Sequence, residues 1–487
     1  MKKLFQYLLL ITPAAYLVSC NKQLDKLPDN RAVITNVDQV TQLLVSAYPH
    51  AIYAPFTEPM SDNSEDKGGG PVTTDPESYQ INLQSYQYQD VTTLRFDSPT
   101  AYWDSCYRAI ATANLALGYC NGPDSASYAA QKGEALLCRA YAHFMLVCLF
   151  AKPYDPKTAG ADPGIPYITT VQTSVFQKYT RGTVATDYAN IESDLLRGLS
   201  LIQDKTYGTA PKFHFTQQAA HAFASRFYLF KGDYNQVITH SSAVFGTADP
   251  ATLIRDQVTL YNTLQYAQLG LAYTSSTSNG NILLQEAQSN YFDSYASYRY
   301  GYGLGLFNNV INGGNVTGGD YGVITYGATP QAFNFPKWNP YYVGVASNNV
   351  RYGLFPLFSM EEVLMNRAEA YAWTGNLTAS LADLNTWVSK NIKDYDGSQN
   401  VTVKKATDWY GAPDNASLIL SALDFKRVTY MQEGLRWFDN IRLGFTIYRY
   451  NGSDFSTPID SILPTDKRRV LQIPADAVAA GLEPNPR

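Results

Sequence analysis

The sequence predicts a mostly α-helical protein in which helical hairpins of the tetratricopeptide type pack against an irregular, loop-rich binding region. Two stretches, 217–245 and 359–388, carry the helical signal, because each has two apolar-striped halves joined at a glycine. A third stretch, 246–357, has no helical period and is rich in Tyr, Gly and Asn. Such hairpins cannot bury their apolar faces alone, so we expect them to stack on one another.

The hairpin at 359–388 contains a complete set of helix boundary signals. Ser359 followed by Glu362 is the pattern of a capping box, which predicts a helix start. Gly375 supplies the left-handed residue that ends this helix, and Asn376 is a good cap for the next one.

The earlier hairpin repeats this order of signals. Thr216 caps a helix over 217–231, Gly232 ends it and Asp233 caps the following helix. A third piece, 133–150, repeats only the Arg-Ala-x-Ala kernel of the later hairpin. The copies do not follow one another at the roughly 34-residue period of a regular array, so we expect long insertions between them to carry the ligand chemistry.

The first 30 residues predict export and lipid anchoring. Residues 1–19 combine two lysines with a short apolar run, which is typical of a signal peptide rather than a spanning helix. The run ends in Leu-Val-Ser-Cys, which resembles a bacterial lipobox and predicts acylation of Cys20. Residues 20–30 then form a lipidated N-terminus and linker. The alternative is an ordinary secretory signal with an incidental cysteine.

Composition is consistent with one large body over residues 31–487, with loop-rich insertions near 53–100 and 246–357. The chain has 487 residues, 45% of them hydrophobic, which suffices for a substantial core. The net charge of −5 and the lack of a basic run disfavour a nucleic-acid partner. No segment after the signal peptide is expected to cross a membrane. The 38 tyrosines outnumber the 22 phenylalanines, which favours many aromatic rings that are packed on one side and exposed to solvent on the other.

Four cysteines follow Cys20. They lie on two predicted helices, 103–120 and 127–150, and the favoured interpretation is four small buried hydrophobes. The residues are Cys106, Cys120, Cys138 and Cys148. A disulfide between the helices, such as Cys120–Cys138, stays open as an alternative.

The candidate ligand-binding residues are aromatic side chains in polar loops. Trp338 is expected at the centre of an exposed sugar-binding surface, because it stands between two prolines in a polar loop. Its expected neighbours in the same insertion are Tyr341, Tyr342, Tyr298, Tyr300 and Tyr302. Tyr86 and Asp62, in the earlier insertion, are further candidates. The alternative is ordinary loop packing, with the tyrosines covering the helical core.

Two charged stretches are interpreted as structural. The acidic run at 62–66 resembles a calcium loop, but Lys67 replaces the turn glycine and no glutamate closes the loop, so we expect a solvated acidic loop. The stretch 426–444 is expected to be one helix with a buried ion network formed by Glu433, Arg436, Asp439 and Arg442. We expect no metal, no cofactor and no catalytic residue.

Together, these motifs resemble the SusD/RagB family of outer-membrane lipoproteins of Bacteroidetes. Beyond the lipobox and the hairpins, the motifs are Trp103, Tyr107, Ile110 and Asn114; Glu134 with Arg139-Ala140; Glu433-Gly434, Arg436-Trp437, Asp439 and Arg442; Ile473-Pro474; and Asn485-Pro486. Two departures are Phe425-Lys426-Arg427, where a Glu-Arg pair is usual, and a tail without the usual Gln before Asn485.

The resemblance implies about four tetratricopeptide-like units and a surface lipoprotein that is not an enzyme. It implies capture of a glycan and its delivery to a TonB-dependent transporter of the SusC type. The same architecture binding oligopeptides is the first alternative, since rings also line peptide grooves. A glycoside hydrolase is the second, disfavoured because no pair of carboxylates stands out as its acid and base.

Overall fold

The protein is represented by a computed structural model. It describes residues 34–68, 75–121, 124–171, 177–208, 210–329, 332–343, 350–450, 455 and 457–487. The predicted signal peptide, the linker and Cys20 lie outside the described residues.

The described chain is mostly helical, as predicted. The helices are α1 (Val37–Leu44), α2 (Ala54–Met60), α3 (Pro76–Tyr86), α4 (Pro99–Tyr119), α5 (Ala129–Phe150), α6 (Val184–Leu201), α7 (Gln217–Lys231), α8 (Tyr234–Phe245), α9 (Tyr266–Tyr273), α10 (Tyr291–Ser294), α11 (Leu304–Leu306), α12 (Met360–Trp373), α13 (Leu377–Asn391), α14 (Val403–Tyr410), α15 (Asp414–Thr429), α16 (Leu435–Arg442) and α17 (Ala475–Ala479). Several consecutive helices pack together, among them α4 with α5, α5 with α6, α7 with α8, α12 with α13 and α14 with α15.

The strands are short and form small antiparallel sheets. They are β1 (Glu65–Asp66), β2 (Asn281–Gln288), β3 (Tyr300–Gly301), β4 (Tyr326–Thr329), β5 (Ala332–Asn334), β6 (Tyr341–Val343), β7 (Val350–Ser359), β8 (Ile447–Arg449) and β9 (Asp460–Ile462). The pairs are β1 with β3, β4 with β5 and β8 with β9, and β7 lies between β2 and β6.

The turns of the two predicted hairpins have the expected geometry. Gly232 and Gly375 both have φ of +79°, the left-handed conformation that ends a helix at little cost only for glycine. Asp233 and Asn376 each accept a hydrogen bond from the backbone N–H three residues further on. Both predicted caps are confirmed. They were predictable because each cap and its hydrogen-bond partner lie within a few residues of each other.

The predicted capping box at Ser359 is wrong, although α12 does begin after this residue. The Ser359 side chain makes no cap hydrogen bond, and its hydroxyl contacts the hydroxyl of Tyr430 instead. Glu362 faces Arg226, with its two carboxylate oxygens 2.5 and 2.6 Å from Arg226 Nε and Nη2. Tertiary partners have replaced the local ones.

Helix α5 is the central core helix. The stretch Ser125–Phe150 is in fact long and apolar enough to span a membrane, but 94% of its most apolar window is buried inside the protein. Burial on this scale is the behaviour of a core helix. Cys106, Cys120 and Cys138 are buried, Cys148 is half-buried and all four thiols are free, which confirms the favoured interpretation.

Both insertions contain more regular structure than their composition predicts. The region near 53–100 holds α2 and α3. In the region near 246–357, β2 at its start pairs with β7 at its end, with Gln285 opposite Phe355. This pairing fixes the two ends of the insertion on the helical body, because β7 runs directly into α12.

The charged stretch at 426–444 is two helices rather than the one predicted. Gly434 has φ of +78° between α15 and α16, and its Cα is held against Ala54 of α2. The ion network is confirmed: Arg442 lies 2.6 Å from Glu369 and 2.8 Å from Asp439. Opposite charges with low exposure lock α16 to α12.

Residues near the C-terminus hold the ends of two earlier helices in place, and we call the contact of Arg449 with α2 a clamp. Arg449 donates hydrogen bonds to the carbonyl oxygens of Pro59, Met60 and Ser61 at 2.9, 3.0 and 2.7 Å. Asn485 donates through Nδ2 to the carbonyl of Phe150 at 2.9 Å. These contacts satisfy backbone groups at the ends of α2 and α5 that the helices leave unpaired.

Candidate functional site

Among the surfaces of the described chain that combine aromatic rings with hydrogen-bonding groups, two are candidate ligand sites. The first, which we name the Asp62 pocket, is a cavity of about 250 Å³. Its lining residues are Asp62, Ser64, Glu65, Leu306, Asn309, Val310, Arg427, Thr446, Tyr448, Tyr450 and Phe455. They come from the start, the middle and the end of the sequence. Arg449 joins the end to the start, and Glu65 joins the start to the middle.

Asp62 is a fixed, ionised hydrogen-bond acceptor. Its carboxylate oxygens lie 2.8 and 2.9 Å from Nε and Nη2 of Arg436. Burial opposes ionisation, but Arg436 and Arg427 outweigh it and hold the pKa of Asp62 well below its ordinary range. The predicted solvated acidic loop is therefore wrong, since Glu65 is also buried and Asp62 is paired.

Arg427 is a donor held in place beside Asp62. Its Nε donates to Asn63 Oδ1 at 2.7 Å, and its Nη2 donates to the Asp62 carbonyl at 2.7 Å. Nη1 has no hydrogen bond within the described part of the chain. A guanidinium fixed by two bonds presents its remaining N–H groups with little loss of side-chain freedom on binding.

Glu65 forms one wall of the pocket. Its carboxylate accepts hydrogen bonds from the backbone N–H groups of Gly305 and Leu306 at 3.0 and 2.8 Å. Burial raises the pKa of Glu65 to about 7. A Cβ at Gly303 would lie 2.1 Å from the Glu65 carboxylate, so this close approach requires glycine.

The rings of the pocket come from the C-terminal hairpin. Tyr450 and Phe455 stack with centroids 4.5 Å apart and an interplanar angle of 24°. Tyr448 is 47% exposed. None of the three is among the residues predicted from the sequence, because the run Ile447-Tyr448-Arg449-Tyr450 shows no simple alternation of apolar and polar residues.

The second surface, which we name the tyrosine surface, consists of Tyr341, Tyr342 and Tyr352. The Tyr341 and Tyr352 rings are 6.1 Å apart and nearly parallel at 22°. Tyr341 and Tyr342 are 36% and 52% exposed. Both lie on β6, which is an edge strand within the described residues. Two of the predicted ligand residues therefore do present open ring faces.

Carboxylates fix the rings of the tyrosine surface. The Tyr341 hydroxyl donates to Glu286, and the Tyr342 hydroxyl donates to Asp293 at 3.2 Å. Arg351 lies 2.9 Å from Asp293 and 5.7 Å from the Tyr342 ring centroid. Ring faces bordered by acceptors and one guanidinium match the alternating apolar and hydroxyl faces of a sugar.

Trp338 is buried, so the prediction that it forms the exposed centre of the site is wrong. It is 8% exposed, and its ring lies 5.3 Å from the ring of Phe292. Its carbonyl oxygen would lie 2.3 Å from a Cβ at Gly270, which shows how closely this loop packs on α9. Its partners are distant in sequence, so the polar local sequence hid the burial.

The remaining predicted tyrosines are also mostly internal. Tyr298, Tyr300 and Tyr302 are 3%, 6% and 1% exposed, so the expectation of open ring faces is wrong for all three. Tyr86 is half-buried, stacked on Tyr300 at 4.3 Å and covered by the Arg449 guanidinium at 4.2 Å. These rings lie behind the surface, as the loop-packing alternative states.

No group of three or more His, Cys, Asp or Glu side chains suits a metal ion in the ranges that the structure describes. The carboxylates of both surfaces are held by arginine, tyrosine or backbone partners.

Comparison with known proteins identifies the fold. Residues 22–229 match the family model SusD-like_3, described as "Starch-binding associating with outer membrane". A SusD superfamily protein from Bacteroides thetaiotaomicron VPI-5482 has a TM-score of 0.64 at 19% identity, covering 93% of this chain and 100% of that chain. The chain therefore has the SusD fold. No curated protein sequence matches it.

Two further SusD-type structures match over nearly the whole chain. A putative sugar binding protein from Bacteroides vulgatus ATCC 8482 has a TM-score of 0.69 at 20% identity, covering 93% of this chain and 99% of that one. A protein named as a laminarin binding SusD-like protein has a TM-score of 0.61 at 17% identity, covering 93% and 100%. At these identities the likeness shows the SusD fold.

Motif residues that carried the family resemblance are scaffold residues. Arg139 pairs with Asp194 at 2.7 Å and donates to Asn114 Oδ1 at 2.8 Å. Glu134 accepts a hydrogen bond from the Tyr48 hydroxyl at 2.7 Å. The motifs thus specify the SusD scaffold, while the residues of the two candidate surfaces lie largely outside them.

Proposed function

We propose that this SusD-type protein binds a glycan at the outer membrane, performs no chemistry on it and passes it to a TonB-dependent transporter of the SusC type. The family description, which names starch binding and the outer membrane, supports the ligand class and the location. The names of two similar structures, a sugar binding and a laminarin binding protein, support the same class.

The observation that carries the proposal is the composition of the Asp62 pocket. The stacked Tyr450 and Phe455 rings offer an apolar face to the C–H side of a sugar. Asp62 accepts and Arg427 donates hydrogen bonds, which suits adjacent hydroxyls of one sugar unit. Both polar groups are held by other residues before any ligand arrives, so little ordering is needed on binding.

The tyrosine surface supplies a second, more open contact in this proposal. Tyr341 and Tyr342 stack on the glycan, and Glu286 and Asp293 accept from its hydroxyls. The buried candidates act indirectly: Trp338, Tyr298, Tyr300, Tyr302 and Tyr86 hold the loops that present these surfaces. Moderate affinity from a few open rings fits a protein that must release its cargo.

The membrane attachment in this proposal rests on acylation of Cys20. Cys20→Ala should release the protein from the membrane fraction, because more than one acyl chain is what stable anchoring needs. Retention of the variant in the membrane fraction at high salt would contradict lipid anchoring. Surface exposure is a further part of the proposal, tested by protease access to intact cells.

Glycan binding is tested with ring-removal variants and a matched control. Tyr450→Ala and Tyr342→Ala should each weaken binding by about ten- to a hundredfold, the range expected for one lost stacking contact. Tyr395→Ala is the control, because this ring is 37% exposed and belongs to neither surface. Calorimetry with a panel of neutral polysaccharides measures the affinities. Equal losses in all three variants, or none, would contradict the proposed sites.

A peptide is the second candidate ligand, and one observation favours it. Strand β6 is an edge strand of its sheet in the described chain, with Tyr341, Tyr342 and Val343 all exposed. Extended peptides bind such edges by adding a strand. Oligopeptides therefore belong in the same calorimetric panel, and binding of peptides but not of glycans would favour this second function.

A further inference from the structure

We infer that the tyrosine surface favours uncharged glycans over those that carry carboxylate or sulfate groups. The inference rests on the proposed glycan-binding function and narrows its ligand class. It is based on the charged side chains that border the aromatic rings and on which of these side chains are already in ion pairs.

At the tyrosine surface, both exposed rings have a carboxylate at their hydroxyl. Glu286 accepts from Tyr341, and Asp293 accepts from Tyr342. Arg351 is the cation beside them, and it lies 2.9 Å from Asp293, with their side chains 33% and 27% exposed. Two carboxylates against one paired guanidinium leave this surface with an excess negative charge.

The charges of the Asp62 pocket are more evenly balanced, because the guanidinium groups of Arg436 and Arg427 both border the carboxylate of Asp62. Arg436 is buried, and its Nε and Nη2 are both bonded to Asp62. Arg427 does keep Nη1 unbonded among the described residues, but its Nη2 lies only 3.8 Å from Asp62 Oδ2. An anionic group that reaches Arg427 also meets the Asp62 carboxylate, so attraction and repulsion oppose each other and we expect little selection against charge in this pocket.

The carboxylates of the tyrosine surface favour hydroxyl groups. An ionised carboxylate only accepts hydrogen bonds, and a bond from a hydroxyl to a charged acceptor is stronger than a neutral one. Replacing a sugar hydroxymethyl by a carboxylate removes a donor and places like charges near each other. At the surface of a protein, such a repulsion is worth about one factor of ten in affinity at low salt.

The test changes only the charge of a glycan. A neutral polysaccharide that binds in the panel is oxidised at its C6 hydroxymethyl groups to the carboxylate, and both forms are titrated at about 25 mM and about 500 mM salt. We expect the oxidised form to bind about tenfold more weakly at low salt, with a smaller difference at high salt. Binding of the oxidised form as tightly as its parent would overturn the inference while leaving glycan binding intact. Failure of every neutral glycan to bind would instead contradict the proposed function.

Substitutions at the tyrosine surface test whether its carboxylates cause the difference in affinity between the neutral and oxidised glycans. The double variant Glu286→Gln, Asp293→Asn should reduce the difference between the neutral and oxidised glycans several-fold, because it removes both negative charges and frees Arg351. Asp408→Asn is the control, since Asp408 is exposed on α14 and pairs only with Lys404 in the described structure. If the neutral and oxidised glycans differ in affinity by the same factor in the double variant, the control and the unchanged protein, these carboxylates do not select against charge.

Discussion

The helical body and the insertion near 246–357 differ in which elements their buried polar contacts join. In the body, long charged side chains pair in the interior, as Arg226 does with Glu362 at exposures of 4% and 3%. In the insertion, both charged side chains and tyrosine hydroxyls reach the body from irregular segments, as Arg255 does with Glu361 at 2.7 Å and Tyr291 with the carbonyl of Gln432 at 3.1 Å. Body contacts thus join helix to helix, whereas the insertion joins irregular loops to that body. We conclude that the helical body maintains the fold and that the insertion provides exposed surfaces on this body.

The largest expected effect tests the ion pairs of the body. Arg226→Ala should lower the free energy of unfolding by about 3–5 kcal/mol, because it leaves Glu362 buried without its partner. Lys404→Ala removes an exposed pair with Asp408 and should cost at most about 0.5 kcal/mol. Chemical denaturation of both variants measures the contrast. Similar small losses in the two variants would mean that the interior pairs do not stabilise the body.

A somewhat smaller effect is expected for the aromatic core under the insertion. Trp338→Ala should lower the free energy of unfolding by about 3 kcal/mol, because a large ring in contact with Phe292 is replaced by a cavity. Tyr342→Ala, at an exposed ring on the same insertion, should change it by less than about 0.5 kcal/mol. Loss of glycan binding by Trp338→Ala without loss of stability would restore Trp338 to the ligand site.

The hairpin turns of the body should respond to backbone strain alone. Gly232→Val and Gly375→Val should each cost about 1–3 kcal/mol, since both glycines have positive φ and nothing lies within 4 Å of the new Cβ. Gly118→Ala is the control, because Gly118 has equally open surroundings but lies inside helix α4. This change should stabilise the protein slightly, as alanine is the better helix former. A loss equal to that of the turn variants would refute the strain argument.

The smallest effect concerns pH and one buried carboxyl beside the insertion. Burial raises the pKa of Asp97 from 3.8 to about 7, so the folded state favours its protonated form. The stabilisation by protonated Asp97 is therefore complete below the pKa of this group in the unfolded chain, and it is lost as the pH rises through about 7. Asp97→Asn should reduce the loss of stability between about pH 5 and pH 8 by on the order of 1–2 kcal/mol.

Denaturation of the two proteins across this pH range isolates Asp97 from other buried acids such as Glu58, whose pKa is also raised to about 7 by burial. Asparagine suits the site because Asp97 has φ of +75°, a conformation that asparagine tolerates. Identical pH profiles for the two proteins would contradict the pKa argument.

Features with local causes were predictable from the sequence. Gly232, Gly375 and the caps that follow them were correct, because each depends on a few adjacent residues. The mostly helical fold and the ion network around Asp439 were also correct, since helical spacing is visible in the residues themselves. The strand pairing of β2 with β7 was not predicted, because it joins segments about 70 residues apart.

The candidate site was predictable only in part, because exposure is a tertiary property. Tyr341 and Tyr342 are exposed as expected, yet Trp338 in the same loop is covered by residues distant in the sequence. The pocket around Asp62 needs Tyr448, Tyr450 and Phe455 from the other end of the chain. No local pattern links these residues to Asp62, so only the fold reveals that they share a cavity.

The clamp formed by Arg449 has a consequence for the order of synthesis. The carbonyls of Pro59, Met60 and Ser61 receive their partner only after almost four hundred further residues have been made. A nascent chain emerging from the ribosome therefore cannot complete the N-terminal region, and the final contacts have a very large sequence separation, which slows folding. The N-terminal region can therefore reach its final packing only when the last part of the chain is available.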